Sequence, residues 1–192
     1  MARPREFSDA DAVTAAMETF WSKGYEATST QDLCERTGLG RGSLYNAFGS
    51  KHALDTAALR RYAEVGFAAQ LRILAEPGSP RERIRTLMRR VIERDLADSE
   101  HRGCLVINAA VEAAGLDEAV QQAVRGQVLN LELALREVVT QGPDIGEFAA
   151  DVDPVQAARS LLSTCYGLCV LGKVVGDHDM LNDVVDGALA RL

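Results

Sequence analysis

The sequence predicts an all-α protein of about nine helices, and three observations carry that prediction. Aromatic residues are sparse, at 5% of the chain, while Ala, Leu, Val, Glu and Arg are abundant, a balance that favours helix over strand. Apolar residues recur at i, i+3, i+4 and i+7 in one segment after another. No alternating strand pattern, internal repeat or low-complexity tract interrupts them. With 192 residues, 47% hydrophobic and 26% charged, the chain can bury a substantial core.

The first helix is expected over residues 9–23, where Val13, Ala16, Met17, Phe20 and Trp21 share one face. Ser8 or Asp9 caps its start and Gly24 suits its stop. Met17 and Trp21 read as core of this N-terminal unit. Ser29-Thr30-Gln31-Asp32 reads as a capping-box-like start for a second helix, which ends at Gly38, a residue suited to the left-handed conformation. A third helix follows over about 41–47, with Gly40 as a weak cap. After Gly49, Ser50 caps a long fourth helix reaching about residue 75.

Pro77-Gly78-Ser79-Pro80 is the clearest linker. Beyond it Ile84, Leu87, Met88, Val91, Ile92 and Leu96 mark a fifth helix, whose Arg81, Arg83, Arg85, Arg89 and Arg90 read as a solvated face. Residues 103–114 are so apolar that a helix buried nearly all round is expected. A seventh helix is expected over 117–140 and a loop over 141–153. Asp153-Pro154 then starts an eighth helix over about 154–175, and Leu181, Val184, Val185, Ala188, Leu189 and Leu192 mark the last. The terminal pair carries more apolar surface than one core can cover, so a homodimer is expected there through Leu161, Leu162, Leu168, Val184 and Val185.

Several function classes fall away. The longest uncharged run, 160–172, is shorter than the roughly 20 apolar residues of a membrane span. The start "MARPREFSDAD" lacks the apolar stretch of a secretory signal, so a soluble, cytoplasmic protein is expected. Cys34, Cys104, Cys165 and Cys169 form no CxxC pair and no metal-ligand array with the three histidines, so reduced thiols without metal or cofactor are expected. The net charge of −7 argues against nucleic acid only superficially. Residues 1–62 hold eight Lys/Arg against eight Asp/Glu, and the remainder, 13 against 20, holds the whole deficit. A neutral segment with clustered cations can sit on phosphate while an acidic body faces away.

The stretch "STQDLCERTGLGRGSLYNAFGSKHAL", residues 29–54, has the spacing of a helix-turn-helix: a helix of about eight residues, a Gly-containing turn, and a second short helix. Leu33, Leu39, Leu44 and Phe48 are the apolar residues that lock it. Arg41, Ser43, Tyr45 and Asn46 remain on the outward side, where Arg can read guanine, Asn can read adenine and hydroxyls reach phosphate. Lys51 adds a cation near helix N-terminal amides. The expected DNA-facing set is Ser29, Arg41, Gly42, Ser43, Tyr45, Asn46 and Lys51. The same spacing fits an ordinary helical hairpin in a core.

The segment "GYEATSTQDLCERTGLGRGSLYNAFGSKHAL", residues 24–54, resembles the TetR family of transcriptional regulators, and the resemblance runs over residues 8–60. It departs at Gly40, where the family has a capping Ser, and at Ala47, where an aromatic is common. The resemblance implies a DNA-binding domain over 1–60 and a ligand-binding and dimerisation domain over 61–192. It also implies a repressor that a small-molecule inducer releases from a double-stranded DNA operator, pseudo-palindromic for a dimer.

Cys104, in "HRGCLVINAAVE", stands at the start of the apolar sixth helix beside His101 and Arg102, where helix amides and cations lower a thiol's pKa. The "GCL" segment resembles that of TetR-family regulators that sense electrophiles through a cysteine. Buried, the same residue is an inert apolar side chain. Asn108 and Glu112 share its face and either line a ligand pocket or satisfy backbone groups. The alternative from another class is a helical thiol enzyme using Cys104 or Cys165/Cys169, although no nucleophile–base constellation is legible.

Overall fold

The computed structural model describes residues 8–113, 115 and 117–192. The expectations for the extreme N-terminus and for the end of the sixth helix at residue 114 lie outside the described residues. Among the described residues there are nine α-helices and no strand: α1 (Asp9–Lys23), α2 (Thr30–Thr37), α3 (Arg41–Phe48), α4 (Lys51–Leu74), α5 (Pro80–Ala97), α6 (Leu105–Ala113), α7 (Glu118–Gln141), α8 (Pro154–Val174) and α9 (His178–Leu189). None is long and apolar enough to cross a membrane. A short 3-10 turn, Pro143–Ile145, occupies the expected loop.

Caps fix the helix starts. Ser8, Ser29, Ser50, Ser79, Asp117, Asp153 and Asp177 each accept a hydrogen bond from an amide of the first turn, contacts worth about 0.5–2 kcal/mol apiece. At α2 the capping box is complete: Ser29 accepts from the Asp32 amide, and Asp32 accepts from the Ser29 amide at 2.8 Å. Gly38, at φ 72°, closes α2 in the left-handed region that a side chain rarely adopts.

Two apolar clusters result. The smaller joins Ala16 and Phe20 of α1, Leu33 of α2, Leu44 of α3, and Leu54 and Ala58 of α4. The larger gathers residues of α4 to α9 around Ile84, Met88, Leu135, Leu168 and Val185. Helix α4 contributes to both, so it joins the helix-turn-helix mechanically to the larger body.

Four sequence expectations need correction. Helix α6 is not buried all round: only Leu105 and Val106 are buried along it, and Val111 is 82% exposed. It packs against α7 and α4 and leaves Val111 and Glu112 exposed. The α5 arginines are not one solvated face. Arg81 donates to the carbonyls of Leu189 and Glu147, and Arg83 donates to the carbonyl of Leu74, so both tie α5 to neighbouring segments. Leu161, Leu162, Leu168 and Val185 are buried inside the protomer and Val184 is half-buried, because α8 is sandwiched among α5, α7 and α9. The uncovered stripe of α8 runs instead through Ser160, Ser163, Val170 and Val174, with Met180 exposed on α9. Finally, Trp21 belongs to the larger cluster rather than to the core of the N-terminal unit.

Candidate nucleic-acid interface and its link to Cys104

Helix α3 is held from beneath. Leu44 is 2% exposed and packs on Leu33, with Leu39 and Phe48 half-buried beside them. Arg41, Gly42, Ser43 and Asn46 are exposed, an arrangement that leaves guanidinium, hydroxyl and amide groups on one outer surface. Tyr45 is more engaged than its neighbours. Its hydroxyl pairs with Thr30 Oγ1 at 2.8 Å, and its ring lies 5.9 Å from the Arg41 guanidinium carbon. Tyr45 therefore couples α3 to α2 and lies against Arg41. Ser29 is exposed and donates to Asp32 at 2.7 Å. The Lys51 ammonium rests 4.4 Å from the Tyr25 ring centroid, a cation–π contact that leaves its charge at the rim of the unit.

A second group of residues ties this unit to the segment before α6. Trp21 Nε1 donates to the Gly103 carbonyl at 3.0 Å, its ring meets the Tyr62 ring edge-on at 5.0 Å, and the Arg102 guanidinium lies 4.0 Å from its centroid. Arg102 pairs with Glu18 of α1 at 2.8 Å and with Asp98, while Ser22 donates to Glu100 at 2.7 Å. Three residues of α1 thus grip the 98–103 loop, whose next residue is Cys104. On the same side His52 at the start of α4 contacts Asp117, the cap of α7. A lone exposed histidine gave no sign of this bridge in the sequence, and Trp21 read as core because its period matched the apolar face.

Between these two bridges opens a cleft of about 750 Å³. Cys104, Asn108 and Glu112 line it together with Trp21, Asp55 and Cys169. Asn108 donates to the Arg102 carbonyl at 3.0 Å and so braces the loop. Glu112 faces Gly24 and Asp55. Burial, opposed by His52 and assisted by Glu112, raises the Asp55 carboxyl to about 6.

Cys104 is 8% exposed and its thiol is held below the ordinary range. The hydrogen bond from the Cys169 thiol is the largest cause; burial opposes it, and the Ile107 amide, the Arg94 charge and the Tyr62 hydroxyl assist. The sequence located the helix start correctly but the wrong cation: Arg102 is engaged by Glu18 and Asp98, and Arg94 acts on the thiol. Cys165, buried within α8, is pushed up to about 12 by burial. All four cysteines are free.

Comparison with known proteins places this geometry. Residues 12–58 match the family model of bacterial regulatory proteins of the tetR family, and residues 80–188 match a tetracyclin repressor-like C-terminal domain. The chain is 35% identical to the uncharacterized HTH-type transcriptional regulator YezE of Bacillus subtilis (strain 168) over 194 residues, covering 100% of both chains. It is 27% identical to the HTH-type transcriptional repressor ComR of Escherichia coli (strain K12), covering 99% of this chain and 90% of that one. Among solved structures, a cysteine mutant of the TetR family transcriptional regulator CifR, complexed with 26-bp double-strand operator DNA, superposes with a TM-score of 0.85 at 33% identity, covering 98% of each chain. The reduced form of NemR from Escherichia coli, at 18% identity and a TM-score of 0.84, shares the fold. The chain belongs to the TetR family of DNA-binding transcriptional regulators.

Proposed function

We propose that the chain is a cytoplasmic repressor that reads a pseudo-palindromic operator with α3 of each protomer and is released when a small molecule or electrophile engages the cleft at Cys104. The observation that carries the DNA-reading half is the exposure of Arg41, Ser43 and Asn46 above a locked Leu44. In a helix-turn-helix the second helix enters the major groove, where Arg reads guanine and Asn reads adenine. Ser29, Gly42 and Tyr45 complete the surface, and Lys51 contacts phosphate. The domain division is 1–60 for DNA and 61–192 for ligand and dimer, with α4 spanning the boundary. The homodimer forms through the uncovered α8–α9 face around Ser163, Val170, Val174 and Met180. Leu161, Leu162, Leu168 and Val185 support that face from inside the protomer.

The release half rests on connectivity. Cys104 follows directly on the loop that Glu18, Trp21 and Ser22 hold, so a bulky adduct or a new cross-link at Cys104 moves the loop against α1. Packed interiors shift as units rather than deform continuously, and α1 packs on α4 and α2. Asn108 and Glu112 line the same cleft and supply polar contacts for a non-covalent inducer. Operator retardation across a panel of quinones, N-ethylmaleimide and hypochlorite tests both halves. DNA binding should vanish in the Arg41→Ala/Asn46→Ala variant, and release should vanish in Cys104→Ser while its operator affinity stays intact. Unchanged release of Cys104→Ser would return that residue to the core and leave a non-covalent ligand as the inducer.

A further inference from the structure

We propose that Cys104 and Cys169 are a redox pair: a small oxidant entering the cleft joins them in a disulfide within one protomer, and this cross-linked form has lost its grip on DNA. The proposal rests on Cys104 being the reactive thiol, and it assigns the regulatory chemistry to a second residue that the motif does not contain.

Four observations meet at this pair. Cys169, on the body of α8, lies near enough to Cys104, just before α6, to be the largest influence on its thiol. Gly103, next to Cys104, brings the loop against α8. It sits at φ +68°, and a Cβ built on it would lie 3.2 Å from the Lys173 side chain and 3.6 Å from the Cys169 carbonyl. Both cysteines line the same cleft, although each is less than a tenth exposed, so a triatomic oxidant reaches them more readily than a bulky alkylating agent. Arg94, itself paired with Asp95 at 2.8 Å, places its guanidinium 3.6 Å from Cys169 Sγ.

With hypochlorous acid as oxidant the steps balance. The Cys104 thiolate attacks chlorine, forming an S–Cl bond and releasing hydroxide. Cys169 sulfur then attacks Cys104 sulfur; the S–S bond forms, chloride leaves, and hydroxide takes the Cys169 proton as water. Two electrons pass from the thiol pair to chlorine. The order follows from the contact between the groups. While Cys104 is a thiolate it holds the Cys169 proton, and after oxidation that hold is gone and Arg94 favours the Cys169 thiolate. Closing the bond brings the sulfurs to about 2.05 Å and the Cα atoms to about 5.5–6 Å. The loop carrying the Trp21 and Arg102 contacts then moves toward α8.

The test is peptide mapping and operator titration of the full-length dimer before and after stoichiometric hypochlorite, with wild type, Cys169→Ser and Cys104→Ser. Wild type should show tryptic peptides 103–125 and 160–173 linked with the loss of two hydrogens, on a chain that runs as a monomer in non-reducing gels. Its operator affinity should fall about tenfold or more and return with dithiothreitol. Cys169→Ser should bind operator as wild type does, oxidise at Cys104 without a cross-link, and keep its DNA. If Cys169→Ser folds poorly, fragment ions that place the link on Cys169 rather than Cys165 within peptide 160–173 decide alone. Release of Cys169→Ser equal to wild type, release of wild type without the linked peptides, or a cross-link between protomers overturns the pair while leaving Cys104 as sensor. Release of Cys104→Ser overturns the sensor reading itself.

Discussion

Helices α3 and α6 are short neighbours in length, eight and nine residues, and opposite in the relation of composition to exposure. Helix α3 carries Arg, Ser, Tyr and Asn around one deeply buried leucine, and its polar groups lie where its composition places them. Helix α6 is among the most apolar segments of the chain, yet it buries only Leu105 and Val106 and leaves Val111 82% exposed. Polar side chains cannot be buried unpaired without a cost of several kcal/mol, so their pattern reports the surface faithfully. Apolar side chains tolerate exposure, so an apolar run reports only that burial is available. The two helices therefore predict different responses to mutation.

The largest effect should come from the α6 corner. Trp21→Ala removes a hydrogen bond, an aromatic contact and the platform under Arg102, and should lower stability by about 2–4 kcal/mol in a urea titration. A loss below about 0.5 kcal/mol would mean that the bridge is decorative. On α3 the reverse is expected. Arg41→Ala and Asn46→Ala should leave stability within about 0.5 kcal/mol, since both side chains are exposed. Each should nevertheless cost about 1–3 kcal/mol of operator affinity and relax preference at one base per half-site, as read by binding to a set of single-base operator variants. A uniform loss over all variants would reassign them to phosphate.

A smaller effect concerns the cleft between the two regions. Burial first, then the Glu112 and Asp117 charges, lift the folded Asp55 carboxyl from its ordinary 3.8 to about 6, with His52 opposing. The folded state therefore holds that proton more tightly, and the contribution of Asp55 to stability is lost as pH rises from about 4 to about 6. Asp55→Asn should stabilise the protein by about 1–2 kcal/mol at pH 7 and by nothing at pH 4, measured by thermal melts at both values. Equal effects at both pH values would show that the carboxyl is not strained. The smallest effect is Lys51→Ala, which should weaken all operators alike and lower the salt slope of binding by about one.

What the sequence made legible follows the same division. The helix-turn-helix was readable because caps, a left-handed glycine and four apolar anchors fall at fixed short spacings: Ser29, Gly38, Leu33, Leu39, Leu44 and Phe48 act within twenty residues of one another. The Cys104 corner was only half readable. The helix start beside the thiol is local, but Arg94, Tyr62 and Cys169 come from three other helices, and no periodicity announces which of them meet. The roles of Trp21 and Asp117 escape sequence reading for the same reason, since their partners lie 82 and 65 residues away in sequence. The α8 leucines read as a partner surface because an apolar face seen in sequence does not say whether its own chain covers it.

The central claim is that chemistry at Cys104 reaches α3 through the grip of Trp21 on the 98–103 loop. The most direct measurement is operator affinity before and after stoichiometric hypochlorite in wild type and in Trp21→Phe, which keeps an aromatic ring and loses the hydrogen bond to the Gly103 carbonyl. The account predicts that both bind operator untreated, that both oxidise at Cys104 to the same extent by mass, and that wild type is released while Trp21→Phe largely remains bound. Equal release of the two proteins at equal oxidation would contradict it.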